Sequence, residues 1–187
     1  MKRRVVSLVL SFFIAVISAA RAAEYREEIP FVPTPLEVID RMLALAQVKK
    51  GDVLYDLGSG DGRIVIRAAQ KYGVRAVGIE MDRLLLDQAR RDAESAGVTR
   101  LIEFRAEDAL KADISKATVV TLYMLPWFNE AMKPSFRRQL KPGSRIVAHD
   151  FGIEGWEPDE TVKLPGYEAK IGGYKHQHTL YLWKIKK

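Results

Sequence analysis

Between Asp56 and Gly62 an acid and three glycines occupy alternate positions, Asp56, Gly58, Gly60 and Gly62, with Ser59 among them. Glycines so spaced after an apolar run let the chain turn sharply where a strand ends and let backbone approach a ligand that a Cβ would hold off. The N-terminus of the helix that follows offers N–H groups to polar ligand atoms. The acid narrows the ligand. A carboxylate at a strand tip repels a pyrophosphate, which speaks against a nicotinamide dinucleotide, and suits an ammonium group through a charge-assisted hydrogen bond.

Further acids recur where later strands should end. Glu80 lies 20 residues beyond Gly60, where an acid accepts hydrogen bonds from ribose hydroxyls, and Met81 beside it suits the face of a purine. Asp108 stands just past the next strand, placed to accept from an exocyclic amino group, with the Ala109 N–H nearby. Any one of these acids could be a helix cap. Three at successive strand ends, each matching a donor on one ligand, point to a nucleoside carrying an amino-acid moiety.

A fourth apolar run ends in Tyr123-Met124-Leu125-Pro126-Trp127-Phe128, an apolar and aromatic wall for a second pocket. Trp127 and Phe128 either touch a substrate or pack under the next helix. Tyr123, or Asp150 at the neighbouring strand end, could orient a reacting group. His149 is equally readable as a hydrogen-bonded packing residue. His176 and His178 share one face of a strand, but two histidines without a third ligand do not make a metal site, and no metal is expected.

These residues need a scaffold, and the chain supplies an alternating one. Thr34 reads as an N-cap with Pro35 at the first helical position and Glu37 completing a capping box, opening a helix to about Val48 with Ile39, Met42, Leu43 and Ala46 on one face. Strands are expected at 53–57, 76–80, 101–105, 118–124 and 145–150. Helices are expected at about 61–72, 83–96 and 128–140, with a short helix or turn at 107–111. Such alternation gives an α/β fold, a mostly parallel sheet with helices on both faces. The strands expected at 161–171 and 179–185, joined through Gly172-Gly173, close it as an antiparallel hairpin.

The chain has 187 residues, 48% of them hydrophobic, which fits one domain with its own core. Its formal charge of +6 is concentrated at the start: without residues 1–22, which hold four basic residues and no acidic one, it falls to +2. No basic stripe remains, so a nucleic-acid partner is not expected. Lys2, Arg3 and Arg4 followed by the uncharged run Val5 to Ala20 and Ala20-Arg21-Ala22 read as a signal peptide, with an uncleaved membrane anchor as the rival. The expected location is exported or anchored in the inner membrane, with the cytoplasmic face left open. Residues 23–33 read as a linker and extended segment, and 34–187 as the domain. With no cysteine, disulfides and thiolate metal sites are absent.

The pattern from Asp56 to Gly62 resembles motif I of class I methyltransferases dependent on S-adenosylmethionine (SAM). Together with Phe31-Val32-Pro33-Thr34-Pro35 and Thr118 to Pro126, it resembles the mitochondrial-type protein-lysine methyltransferases that act on the ATP synthase c-subunit and the adenine nucleotide translocase, and their bacterial relatives. The resemblance spans Ile29 to about Asp159. It implies a Rossmann-like seven-stranded sheet, SAM as cofactor, a protein lysine as substrate, and Phe31, Pro33, Thr34 and Pro35 folded over the cofactor near the substrate entrance. It also implies work at a membrane. A small-molecule methyltransferase of lipid or quinone type and a non-catalytic SAM-binding domain are the competing readings. The oligomeric state is not legible.

Overall fold

Strand β1 (Val53–Leu57) is buried from Leu54 onward, as an apolar run covered on both faces must be. The computed structural model describes residues 30–165, 167–168 and 175–186, and those from Phe31 onward belong to one compact unit. Phe31 to Pro33, at the end of the extended segment, fall within that unit. The predicted leader and the Gly172-Gly173 turn lie outside the described residues. Among the described residues no helix is long and apolar enough to cross a membrane.

Helix α1 (Leu36–Leu45) is followed by β1, α2 (Arg63–Tyr72), β2 (Arg75–Glu80) and α3 (Arg83–Ser95). A single 3-10 turn at Thr99–Leu101 leads into β3 (Ile102–Ala106). Then come β4 (Val119–Leu122), α4 (Pro126–Gln139) and β5 (Arg145–His149). The remaining strands are β6 (Glu160–Lys163), β7 (Tyr167–Glu168), β8 (Lys175–His176) and β9 (Thr179–Lys184). Seven of them form one sheet in the order β3-β2-β1-β4-β5-β9-β6. Neighbours are parallel from β3 to β5, and β9 runs antiparallel to both β5 and β6. The order reverses direction between β1 and β4, the switch point beside which α/β sheets bind ligands.

The closing strands differ from expectation. The strand expected at 161–171 ends at Lys163, Leu164-Pro165 follow it, and among the described residues β7 pairs with β8 in a separate two-stranded sheet. Proline cannot donate to a ladder, so the break falls beside it. β6 and β9 still pair directly, Glu160 with Leu182 and Lys163 with Thr179.

Val38, Ile39, Met42 and Leu43 on α1 are fully buried and pack in one core with Leu54, Ile64, Val65, Val119, Val147 and Leu180. Burying each such aliphatic side chain contributes roughly 1.5–3 kcal/mol. At the opposite end of the sheet from the expected site, the Arg145 guanidinium donates to both carboxylate oxygens of Asp52, at 3.0 and 2.7 Å, and to the Ala46 carbonyl at 2.9 Å. That fork fixes the end of α1 against β1 and β5.

Candidate active site

β1 delivers Asp56 to the carboxyl end of the sheet, 2% exposed. Its Oδ1 accepts the Thr121 hydroxyl of β4 at 2.7 Å, while its Oδ2 is buried and has no hydrogen-bond partner among the described residues. Burial raises this carboxyl to about 7; the Thr121 hydrogen bond opposes the shift, and the charges of Glu80 and Asp61 add to it. A buried, unpartnered carboxylate oxygen near two further acids is an arrangement that an incoming cation completes.

The glycine turn is more fully spent on its own fold than its sequence suggests. The N–H groups of Gly58 and Ser59 both donate to the Ile79 carbonyl at 2.9 Å, that of Gly60 to Glu80 Oε2 at 3.0 Å, and that of Gly62 to the Ser59 carbonyl at 2.9 Å. The Arg63 N–H donates to Asp61. The expectation of a helix N-terminus open to a ligand is corrected at these positions: three of the amides lock the turn onto β2 and two close it on itself. The Ser59 side chain is likewise buried, its Oγ facing Gly78.

At Gly60 (φ +53°) a Cβ would lie 2.5 Å from the Phe31 ring, and at Gly58 2.3 Å from Met124 Sδ. The missing side chains give Phe31 and Met124 their seats over the turn. Gly62 serves packing instead, since a Cβ there would meet Ala89 and Phe104.

Glu80 is held by three backbone donors: Gly60 N–H on Oε2, and Met81 and Asp82 N–H on Oε1 at 2.8 and 3.0 Å. Its carboxylate is thereby oriented at the end of β2 and keeps lone-pair capacity for a hydroxyl. Met81 is 68% exposed beside it. Asp108 caps its own turn, with Oδ1 accepting the Leu110 N–H at 3.0 Å and Oδ2 3.4 Å from the Lys111 ammonium, and Ala109 is buried. The acids of β1, β2 and the β3 exit thus stand at one edge of the sheet, as their spacing predicts.

The second wall begins where β4 ends. Tyr123, Leu125 and Trp127 are half-buried and Pro126 is exposed at the start of α4. Trp127 meets the buried Phe128 edge-on at 5.9 Å. The Tyr123 ring lies 4.0 Å from the His149 ring and 6.2 Å from Phe151; burial pushes its phenol above the ordinary value and Asp150 adds to the shift. Asp150 has a left-handed backbone (φ +59°), its Oδ1 accepting the Thr179 N–H at 2.8 Å and its Oδ2 lying 3.2 Å from both His149 Nε2 and His178 Nδ1.

Two expectations about this region are corrected. Thr34 does not cap α1: Pro35 holds the N-cap position without a side-chain hydrogen bond, and the buried Thr34 hydroxyl lies 3.3 Å from His149 Nδ1. His178 does not share a strand with His176: it falls between β8 and β9, and its Nδ1 meets His149 Nε2 at 2.8 Å. His176 side-chain contacts lie outside the described residues. Arg63, whose type and spacing assign it no role, donates to the Thr34 carbonyl at 3.1 Å while bound to Asp61, tying the proline segment to the glycine turn.

Residues 56–160, more than half of the chain, match the family model described as the ANTKMT methyltransferase domain. The chain belongs to the ANTKMT methyltransferase family. It is 41% identical over 162 residues to a protein-lysine N-methyltransferase of Saccharolobus islandicus, covering 86% of this chain and 96% of that one. With the ATP synthase c-subunit lysine N-methyltransferase of Homo sapiens it shares 34% identity over 134 residues, 72% of this chain and 57% of that protein. The chain therefore spans little more than half the length of the human relative. Among solved structures, one described as an RNA methyltransferase from Salinibacter ruber in complex with S-adenosyl-L-homocysteine superposes with a TM-score of 0.75 and 53% identity, over 83% of this chain and 95% of that one.

This ANTKMT-family protein is a SAM-dependent methyltransferase with the Rossmann-like seven-stranded fold. The residues present fit the cofactor. Asp56 Oδ2 is buried without a hydrogen-bond partner among the described residues, as an ammonium would require, and the Glu80 carboxylate is held at the end of β2 with lone pairs to spare.

Proposed function

We propose that this protein methylates a lysine side chain of a protein substrate. The observation that carries the reading is the 41% identity, across 96% of its length, to a relative described as a protein-lysine N-methyltransferase. The half-buried, mainly apolar wall of Tyr123, Leu125 and Trp127 supports it.

Bound SAM supplies an electrophilic methyl group. The protein's own residues must hold the cofactor and bring a neutral amine into line with that group. Asp56 would hold the ammonium of its amino-acid end, Glu80 its ribose hydroxyls, and Asp108, the Ala109 N–H and Met81 its base. Phe31, Pro33, Thr34 and Pro35 border the substrate entrance. A lysine of pKa about 10.4 is neutral only about once in 2,500 molecules at pH 7, a cost of about 4.6 kcal/mol. An apolar wall lowers that cost by disfavouring the ammonium form, and no obligatory general base is assigned. Tyr123, with Asp150 behind it, orients the amine.

A second reading rests on the Salinibacter ruber structure described as an RNA methyltransferase. The charge of only +2 beyond residue 22, without a basic stripe, counts against it. One experiment separates the readings: the full chain is incubated with SAM carrying a tritiated methyl and with protein, RNA and lipid fractions. Label recovered as methyllysine after hydrolysis supports the proposal. Label confined to RNA or to extractable lipid overturns it.

We further propose that residues 1–22 direct the enzyme to a membrane or across it, on the strength of Lys2, Arg3 and Arg4 preceding the apolar run Val5 to Ala20. Fractionation of cells expressing the full chain with a C-terminal epitope tests this. Recovery in the soluble cytoplasmic fraction with Met1 or Lys2 intact would refute it.

A further inference from the structure

We propose that His149, Asp150 and His178 form a binding site for one divalent transition-metal ion of the zinc class. His149 Nε2, His178 Nδ1 and Asp150 Oδ2 form a triangle with sides of 2.8, 3.2 and 3.2 Å. In their unprotonated forms all three atoms present lone pairs. Three such atoms in mutual contact require a positive centre, either a proton or a metal ion, and two protonated ring nitrogens cannot face each other at 2.8 Å. A tetrahedral ion about 2.0–2.1 Å from each ligand needs ligand atoms roughly 3.3 Å apart, close to the two 3.2 Å sides and about half an ångström beyond the 2.8 Å side, which a small rotation of either ring supplies. Two imidazoles and one carboxylate suit zinc, cobalt or iron(II) rather than calcium or magnesium.

The surroundings are those of a supported site. His149 is fully buried and His178 is 7% exposed. A metal-bound histidine donates its other ring N–H to an acceptor, and the Thr34 hydroxyl stands 3.3 Å from His149 Nδ1 in that position. The Asp150 carboxylate is oriented by the Thr179 N–H on Oδ1, which leaves Oδ2 toward the two rings. The ligands come from the exit of β5 and the entry of β9, and their support from the segment before α1. An ion here clips three parts of the chain together beside Tyr123.

The test uses the tag-free full chain, stripped of metal by a chelator and titrated with cobalt(II) chloride. The expected result is one ion per chain, with visible ligand-field bands and a raised melting temperature. Thr34→Val is expected to weaken binding about 10–100-fold, the usual effect of removing such an outer acceptor. His149→Gln and His178→Gln are expected to lose the site. X-ray absorption of the zinc-loaded wild-type chain, which depends on no variant folding, is expected to show a nitrogen and oxygen shell with two imidazoles. Lack of stoichiometric binding by the wild-type chain overturns the proposal. So does a zinc shell without two imidazoles, or a folded His149→Gln or His178→Gln chain that binds as tightly as wild type.

Discussion

The hydroxyl of Thr34 lies 3.3 Å from Nδ1 of His149, a buried contact between residues 115 positions apart. It joins the proline segment before α1 to the strand end beside Tyr123. Thr34→Val leaves a buried imidazole nitrogen without this partner and should destabilise the fold by about 1–3 kcal/mol. Thr34→Ser, which keeps the hydroxyl, should lose less than half as much. Urea unfolding of the two variants checks both values.

Asp56 gives a prediction with a sign in pH. Its carboxyl is raised from 3.8 to about 7 in the folded chain, so the protonated form is the stabilising one. That stability is complete below about pH 3.8 and is lost as pH rises to about 7, a swing of roughly 4 kcal/mol. Asp56→Asn cannot ionise, so its melting temperature relative to wild type should climb between pH 5 and pH 8. Calorimetry of both chains without cofactor reads this directly; a flat difference would remove the raised pKa.

The same residue must be charged to hold an ammonium group. SAM affinity for the wild-type chain should therefore increase with pH up to about 7 and then level off. Asp56→Ala should weaken binding about 100-fold or more, since a charge-assisted hydrogen bond made out of water is lost. Isothermal titration at pH 6 and pH 8 tests both statements.

Gly60 carries φ +53°, and its missing Cβ is the seat of the Phe31 ring. Gly60→Ala should cost about 1–2 kcal/mol from the left-handed backbone alone, with a further loss from displacing the ring. Adding Phe31→Ala should recover the second part and not the first. A double-mutant cycle on unfolding free energies separates them.

If Tyr123 orients the amine and Asp150 supports it, their variants should differ. Tyr123→Phe should lower kcat with little change in SAM affinity, because the ring stays against His149 while the hydroxyl is gone. Asp150→Asn should lower both kcat and melting temperature, since Asp150 also faces both histidines. Methyl-transfer kinetics and calorimetry on the same preparations check the contrast. Full turnover in both variants would leave neither with a role in the reaction.

Much of this is legible in sequence because parallel strands covered on both faces must be apolar runs. Val53–Leu57, Arg75–Glu80 and Arg145–His149 fall within a residue or so of where such runs place them. Asp56 and Glu80 can be placed near strand ends because those runs set where the strands stop. Thr34 misleads because its neighbours fit a capping box, while its actual partner lies far along the chain and tertiary burial outweighs a local cap. The joining of His149 to His178 has no local signal either, since it depends on β9 entering the sheet beside β5. The break after Lys163 does have a signal, Pro165, which a continuous strand over 161–171 disregards.

The position of β9 between β5 and β6 has a consequence for synthesis. A nascent chain that has emerged as far as Lys163 can assemble β3-β2-β1-β4-β5, but β5 then has an open edge and β6 has no neighbour to pair with. Closure waits for the segment from His178 to Lys184 to insert between them. The cofactor side of the sheet can thus take shape on the ribosome before the far side exists, and that exposed edge is where premature termination would invite aggregation.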